Sequence, residues 1–234
     1  MRKGRQRQDG KKGKGGRPKP RAALTRERVL RAAVELTDEG GLEALSMREL
    51  GRRLAVEAMS LYNHVSGKDD VLDGMVDLVV GEIGLPGGEE DWRQFMFLRA
   101  VSARRVFTRH PWAAVLIDSR VRGGSGRLRY FEAVIGALRR AGFTMELAAR
   151  AFSLVDSYVY GFCSQSSHLS SSESGGAQAA EAFLHALPRE EYPNLAEMAA
   201  NQAAGQGYDE ESDFEFGLDL ILDGLQRVLD AARY

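Results

Sequence analysis

The segment from Thr25 to Lys68 carries several helix-start signals in close succession, and this is the strongest constraint on how the chain folds. Thr25 is a good N-cap, and Leu24 and Val29 are placed as the hydrophobic pair that fixes the entry of a helix. Apolar positions then follow helical spacing as far as Gly40-Gly41. The pattern predicts a first helix that ends at these glycines.

Further helix starts follow within the same segment. Ser46-Met47-Arg48-Glu49 is a capping box, which predicts a second helix that ends near Leu54. After a turn of about four residues, the pattern predicts a third, short helix over Ala58–His64. Ser66-Gly67-Lys68-Asp69 is another S-x-x-D start and leads into a fourth helix. We therefore expect a compact three-helix unit followed by the base of a longer helix.

The second and third predicted helices have the spacing of a helix-turn-helix, in which the second helix of the pair enters the DNA major groove. Leu61 and Val65 should face the core. The forked guanidinium of Arg48 suits a guanine edge, and Lys68 lies at a helix N-terminus, where backbone N–H groups also attract phosphate. A plain helical bundle with a solvated basic face is the alternative. The remaining exposed candidates for DNA contact are Ala58, Met59, Ser60, Tyr62 and His64.

These residues closely resemble the TetR family of bacterial transcriptional repressors. The matching signature is RVLRAAVELTDEGGLEALSMRELGRRLAV, then a helix ending in LYNHV, then a K-D helix start. FEFGLDLILDGL at 214–225 resembles the closing helix of the tetracycline-repressor type of C-terminal domain, whereas the likeness is weak from Pro111 to Gln206. The resemblance implies base contacts by Arg48, Ala58, Met59 and Ser60, and phosphate contacts by Tyr62, His64 and Lys68.

The charge of the chain is strongly segregated. Residues 1–21 hold ten Lys or Arg and one Asp, a net charge of +9, whereas residues 22–68 balance to zero and residues 69–234 carry −10. Such a basic, glycine-rich arm is expected to be disordered when free and to bind a polyanion. Gly15–Arg21 resembles the G-R-P core of an AT-hook, which would lay Arg17 in a narrow minor groove. A nonspecific basic tail is the alternative.

Beyond the arm, the whole sequence predicts an all-α fold, because no alternating strand pattern is present. Leu85-Pro86-Gly87-Gly88 indicates a domain boundary. The predicted domains are a basic arm (1–21), a DNA-binding unit (22–68), a connecting helix (69–84) and a helical sensing and dimerisation domain (89–234). The helices predicted after the boundary are Asp91–His110, Trp112–Ser119, Leu128–Ala141, Thr144–Cys163, Ala179–Ala186, Leu195–Ala204 and Asp213–Ala232, with loops over 120–127 and 164–178.

By likeness, a regulator of this family releases DNA when a small-molecule effector prefers one of its two conformations. The chain does not reveal the identity of that effector. Asp156 is the most informative candidate because it is an acid within an apolar helix, although an ordinary helix-surface or paired carboxylate is the simpler interpretation. An aromatic stripe at helical spacing is also typical of an ordinary core. The candidate ligand-binding residues are Phe95, Arg99, Phe107, Trp112, Phe152, Asp156 and Tyr160.

A homodimer is expected through residues 144–163 and 213–232, where small residues such as Gly217 and Gly224 permit close helix approach. By the family likeness, tetracycline is a poor candidate ligand. Its binders carry a histidine where this chain has Gly84, and a second one where Ile117 stands. The four histidines show no ligand pairing at i,i+4, so we expect no metal and no cofactor.

Other classes of function have weaker support. An all-α enzyme is the remote alternative, but the chain has no nucleophile elbow, P-loop or dinucleotide fingerprint, and Ser166 and His168 make only a weak dyad. An activator, or a DNA-binding regulator without a ligand, stays open. No apolar run is long enough to cross a bilayer and no secretory signal is present, so no membrane association is expected. The lone Cys163 suggests a buried thiol in the cytoplasm.

Overall fold

The computed structural model describes residues 23–87, 91–117, 120, 124–170, 187–203 and 209–232, without the side chains of 166–170, 199, 202 and 203. These residues form ten helices and no strand, so the predicted all-α class is confirmed. None of the described helices is both long and apolar enough to cross a membrane. The helices are α1 (Arg26–Ala44), α2 (Met47–Leu54), α3 (Ala58–Leu61), α4 (Lys68–Val80), α5 (Trp92–Arg109), α6 (Pro111–Ile117), α7 (Ser125–Arg140), α8 (Met145–Ser170), α9 (Pro193–Ala203) and α10 (Glu210–Ala231).

The predicted signals at both ends of α1 are present. The Thr25 hydroxyl accepts a hydrogen bond from the backbone N–H of Arg28 at 3.2 Å. Val29 and Ala33 are fully buried. At Gly41 the backbone leaves helical geometry (φ 73°, ψ 176°), a conformation that favours glycine. The predicted stop at the glycine pair is therefore confirmed, although one more turn continues to Ala44.

The helix α2 begins after the N-cap Ser46, whose hydroxyl accepts a hydrogen bond from the backbone N–H of Glu49 at 3.1 Å, as the predicted capping box requires. The Glu49 carboxylate pairs with Arg52. The helix ends at Leu54 as predicted, and Ala55 follows it in the left-handed conformation (φ 54°, ψ 44°).

The backbone of the turn between α2 and α3 packs closely against Gly51, and this favours glycine at position 51. A Cβ there would lie 3.0 Å from the carbonyl oxygen of Val56 and 3.2 Å from the backbone nitrogen of Ala58. The helix α3 stops at Leu61, so the predicted end at His64 was wrong. Beyond Leu61 the backbone tightens into i→i−3 bonds, including His64 N–H to the Leu61 carbonyl at 2.9 Å, as helix ends commonly do.

The helix α4 joins the N-terminal unit to the rest of the molecule, because it packs against α1 as well as α6 and α7. The predicted N-cap at Ser66 was wrong, because the Ser66 side chain does not cap the helix. Gly67 occupies the N-cap position without a side-chain bond, and Ser66 instead donates its backbone N–H to the Asp70 carboxylate at 2.8 Å. Val71, Met75 and Val79 form the buried row of the helix.

Two predicted loops are partly helical. The helix α7 begins at Ser125, because the Asp77 carboxylate of α4 accepts from the N–H groups of Gly126 (3.1 Å) and Arg127 (2.8 Å) and so caps it from another helix. The helix α8 continues to Ser170, through the start of the serine-rich stretch, where no glycine or proline interrupts the chain before Gly175. The predicted helix Ala179–Ala186 lies outside the described residues.

The closing helix α10 packs against α5 and α8. Its buried stripe runs through Phe214, Leu218, Leu222, Leu225 and Leu229, whereas Val228 is exposed. Spacings of three and four residues follow the 3.6-residue period and keep the stripe on one face of the helix. A second apolar face, with Phe216 and Leu220, remains on the surface of the protomer.

Candidate nucleic-acid interface and a buried polar cluster

The short helix α3 is anchored from one side and open on the other. Leu61 is fully buried and Val65 nearly so, which confirms that both face the core. Met59 is 75% exposed and Tyr62 is 47% exposed, while Ala58, Ser60 and His64 are partly exposed. A protruding helix surface of this kind suits insertion into a DNA groove.

The cations of the N-terminal unit fall into two groups. Arg48 and Lys68 are exposed and have no hydrogen-bond or ion-pair partner within the described ranges, so both are free to contact DNA. The other group is engaged internally. Four arginines form ion pairs: Arg26 with Asp70, Arg31 with Glu27, Arg52 with Glu49, and Arg53 with Glu35 and Glu39.

One of these pairs helps to hold the turn that follows α3. Arg26 of α1 binds both carboxylate oxygens of Asp70 on α4, at 2.6 and 2.8 Å, and also donates to the carbonyl of His64 at 3.3 Å. The hydrogen bonds from Arg26, together with the one from the Ser66 backbone, lower the pKa of Asp70 to about 2. The carboxylate therefore stays charged, and the three segments are held together at any physiological pH.

A polar cluster lies inside the helical body. Arg99 of α5 is fully buried, and its Nη1 donates to Asp156 Oδ1 on α8 at 2.5 Å and to the Tyr130 hydroxyl on α7. The Tyr160 hydroxyl donates to the other Asp156 oxygen at 3.0 Å. The cluster therefore ties α5, α7 and α8 together. Asp156 is a paired carboxylate, and the alternative of a helix-surface carboxylate was wrong because the residue is buried.

Aromatic rings surround the guanidinium of Arg99. Its central carbon lies 5.5 Å from the ring centroid of Phe152 and 5.6 Å from that of Tyr130, within the range of cation–π attraction. Phe107 meets the ring of Tyr160 edge to face at 5.3 Å. The charge thus sits within apolar walls, where electrostatic interactions are less screened than in water.

Burial shifts the proton equilibria of the cluster. Desolvation, followed by the nearby Asp156 charge, raises the pKa of Tyr160 far above its ordinary value. The pKa of Tyr130 is also raised by burial, although Arg99 opposes the shift. Burial by itself would lower the pKa of Arg99, but Tyr130 and Asp156 raise it. Both phenols are therefore neutral donors, and the guanidinium is charged.

One edge of the Arg99 guanidinium has no partner. Its Nε and Nη2 are buried and find no acceptor in the described part of the chain. A buried donor without a partner costs about 1–3 kcal/mol, and native interiors contain few of them. This edge is the least satisfied polar group of the cluster.

The structure brings five of the seven predicted ligand-binding residues together and separates one. Arg99, Phe107, Phe152, Asp156 and Tyr160 share the polar cluster and its aromatic surroundings. Phe95 is buried on the same helix as Arg99. Trp112 lies elsewhere, since its indole N–H donates to Asp38 of α1 at 2.7 Å. A ligand role for these residues remains a prediction.

Two carboxylates connect the N-terminal helices to the body. Asp38 Oδ1 on α1 is contacted by His110 Nδ1 at 2.8 Å as well as by the Trp112 indole. Asp77 on α4 caps α7, as described above. A displacement of α6 or α7 would therefore reach α1 and α4 through hydrogen bonds as well as through packing.

Two family models match the chain. Residues 29–75 match the bacterial regulatory proteins of the tetR family, and residues 85–229 match the tetracyclin repressor-like C-terminal domain. The chain belongs to the TetR family. An HTH-type transcriptional regulator of Saccharopolyspora erythraea is 38% identical over 214 residues, which cover 91% of this chain and 88% of that relative.

Further TetR family relatives point the same way. The HTH-type transcriptional repressor DrrR1 of Streptomyces coeruleorubidus is 34% identical over 224 residues, covering 92% of this chain and 81% of DrrR1. The chain also resembles the crystal structure of the Streptomyces coelicolor protein ActR in complex with actinorhodin, with a TM-score of 0.75 and 32% sequence identity. The match covers 88% of this chain and 96% of ActR. The predicted transcriptional regulator is confirmed. The relatives of this TetR family member are regulators and not enzymes.

The sequence interpretation missed three residues of this TetR family member that the structure makes prominent. A tyrosine in an apolar helix is typical of a core position, so the sequence holds no signal for Tyr130, yet its hydroxyl contacts both members of the buried ion pair. Asp38 and Asp77 have no local signal either, since acids on a helix are usually solvated. Only their partners from distant helices reveal their roles.

Proposed function

We propose that this TetR family member is a repressor that binds a two-fold symmetric operator as a homodimer and leaves it when a small-molecule effector binds the helical body. DNA binding is supported by Arg48 and Lys68, which have no ion-pair partner among the described residues and lie in the same unit as the exposed α3. Arg26, Arg52 and Arg53 of this unit are instead paired with carboxylates. A dimer would place its recognition helices about 34–36 Å apart, or a multiple of that distance.

The exposure of these side chains supports the residue roles that the family likeness implies. We propose that Arg48 reads a guanine and that Ser60, Ala58 and Met59 contact bases, mostly through apolar contact with thymine methyls. Tyr62, His64 and Lys68 would hold phosphates. Because Ala58 and Met59 form few hydrogen bonds, Arg48 should carry most of the sequence specificity.

A gel-shift titration with DNA from upstream of the gene tests this proposal. Arg48→Ala should weaken binding by about 1–3 kcal/mol, which is about 5- to 150-fold. Arg52→Ala is the matched control, since Arg52 lies on the same helix and is also exposed but pairs with Glu49. An equal loss in both variants would contradict direct readout by Arg48.

The basic arm adds a separate, electrostatic proposal. Residues 1–21, including Arg17, lie outside the described residues, and their +9 charge supports a role in holding DNA. Deletion of residues 1–20 should weaken operator binding and flatten its salt dependence, since each neutralised phosphate contributes a slope of about −0.9. An unchanged salt titration would exclude this role.

The proposed dimer surface is the exposed apolar face formed by α8 and α10, within residues 144–163 and 213–232. Leu154 of α8 and Phe216, Leu220 and Val228 of α10 are large apolar side chains open to solvent in the protomer. Such patches typically mark interaction sites. Leu220→Arg should shift the sedimenting species from dimer to monomer and weaken operator binding.

Effector binding is proposed for the body, around the Arg99–Asp156 cluster. The ActR complex with actinorhodin supports a small-molecule site in this fold. The signal would reach the DNA unit through α4, the Asp77 cap of α7 and the Asp38 contacts with His110 and Trp112. The proposed domains are the arm (1–21), the DNA-binding unit (22–68), the connecting helix (69–84) and the sensing and dimerisation domain (89–234). The regulator would act in the cytoplasm, where its operator lies.

A further inference from the structure

The unpartnered edge of Arg99 has a defined geometry. Its Nη1 is saturated by Tyr130 and Asp156, whereas the two buried atoms without an acceptor are Nε and Nη2. In the planar guanidinium, the Nε–H and the outer Nη2–H point along the same side and are nearly parallel. This is the side that receives the two oxygens of a carboxylate in a bidentate pair.

The cluster does not fill this edge with its own anion. Asp156 meets Arg99 at Nη1, and its second oxygen is occupied by the Tyr160 hydroxyl. Because Tyr130 and Tyr160 are neutral, neither brings a negative charge to the free side. The buried edge therefore calls for two adjacent acceptor oxygens that the described residues do not supply.

Aromatic rings lie close to the guanidinium that carries this edge. Phe152 lies against the guanidinium, and Phe131 meets Phe152 edge to face at 5.2 Å. Tyr130 adds a third ring, whose centroid lies 6.2 Å from that of Phe152. A molecule that reaches the free edge of Arg99 would thus place its remaining atoms near aromatic faces, which favour a planar apolar body.

We propose that the effector of this regulator is a carboxylic acid whose carboxylate binds the Nε–Nη2 edge of Arg99, with a planar apolar body beside Phe152 and its neighbouring rings. This inference rests on the proposed function, that the helical body binds an effector. It adds the chemical class of that effector and the side chain that selects it. A buried water bound at the same edge is the alternative, and it would give no preference for an acid.

The test uses the full-length chain and two probes of equal shape, 2-naphthoic acid and 2-naphthamide, in calorimetric titrations at pH 7. The acid is ionised at this pH, because carboxyl groups titrate near 4. We expect the acid to bind at least about 10-fold more tightly than the amide, in line with the greater strength of charge-assisted bidentate pairs. Equal affinity, or no binding of the acid, overturns the proposal.

Two variants assign the preference to this edge. Arg99→Lys keeps the positive charge but removes the fork, so the acid should lose at least about 10-fold in affinity while the amide changes little. Arg104→Lys is the matched control, since Arg104 lies five residues further along α5, packs over Phe162 and Phe214, and also has a buried Nε without a partner. An equal loss of acid binding in both variants contradicts the assignment.

A spectroscopic readout covers the case in which Arg99→Lys does not fold. In the wild-type chain labelled with ¹⁵N-arginine, the buried Nε–H of Arg99 should shift when 2-naphthoic acid is added and stay in place with 2-naphthamide. The signal of the Arg99 Nε–H is assigned by its absence from the spectrum of the double variant Arg99→Met/Asp156→Leu. An unmoved signal at saturating acid overturns the proposal. Operator binding by the unliganded chain tests the proposed function separately, so the two failures are distinguishable.

Discussion

The buried pair Arg99–Asp156 permits a sharp test of how charge is accommodated inside this helical body. The side chain of Arg99 has no exposed surface and that of Asp156 is only 7% exposed. Replacement of Asp156 by alanine would leave the guanidinium buried without its counter-ion and remove the acceptor of the Tyr160 hydroxyl. We expect Asp156→Ala to lower the free energy of unfolding by about 3–5 kcal/mol, the usual cost of breaking one half of a buried pair.

Removal of both charges should behave differently. When Arg99→Met and Asp156→Leu are combined, no ion has to be desolvated, and buried pairs replaced by apolar residues of similar volume often leave stability unchanged or improve it by about 1–4 kcal/mol. The double variant should therefore unfold within about 1 kcal/mol of the wild type or above it. The interaction energy in the double-mutant cycle would then be large, because the two sites are in direct contact.

Urea denaturation followed by circular dichroism measures these differences. All variants must be compared at one protein concentration, since a dimer gains apparent stability by mass action. A surface pair, Glu146–Arg150 on α8, is the matched control, and Glu146→Ala should cost less than about 1 kcal/mol. A double variant as unstable as the sum of its single changes would refute the reasoning. It would mean that the ion pair stabilises the fold instead of leaving Arg99 available for recognition.

Three further predictions concern single positions. Burial, and then Asp156, raises the pKa of Tyr160, and burial also raises the pKa of Tyr130. The free energy of unfolding should therefore be unchanged below about pH 10 and fall above it. The absorbance of tyrosinate at 295 nm should show that both phenols ionise only when the chain unfolds, and earlier ionisation would contradict this. Burial raises the pKa of the Cys163 thiol to about 11, so its reaction with a disulfide reagent at pH 8 should be slow until urea is added. Ala55→Gly should raise the unfolding free energy by about 0.5–1 kcal/mol in urea melts, because Ala55 holds a left-handed conformation that glycine adopts without strain; unchanged or lower stability would contradict this.

Local signals in the sequence were sufficient for most of the N-terminal unit. The hydroxyl caps at Thr25 and Ser46 are formed by residues within three positions of one another, so the sequence contains both partners of each bond. The end of α1 at Gly41 is equally local, since it depends on the backbone freedom of one residue. The burial of Leu61 and Val65 follows from helical spacing alone.

The errors occur where a distant residue decides the local structure. The start of α7 could not be predicted from 120–127, because its N-terminal amides are satisfied by Asp77, about fifty positions earlier in the chain. The Arg26 bond to the His64 carbonyl, which helps to hold the turn after α3, joins residues 38 positions apart. The separation of Trp112 from the other ligand candidates is of the same kind, since Asp38 on α1 holds the indole.

The distribution of charge in the N-terminal unit limits how it can bind DNA. The sequence gives that unit no net charge, and the structure adds that Arg26, Arg31, Arg52 and Arg53 already face carboxylates at 3.2 Å or less. A cation that must leave such a partner gains less from a phosphate than a free one does, because the existing attraction is lost. In the proposed function, the unit would therefore read bases through a few free side chains, above all Arg48, and would contribute little to the long-range attraction of DNA. Long-range attraction needs uncompensated charge, and within this chain residues 1–21 are the segment that carries it.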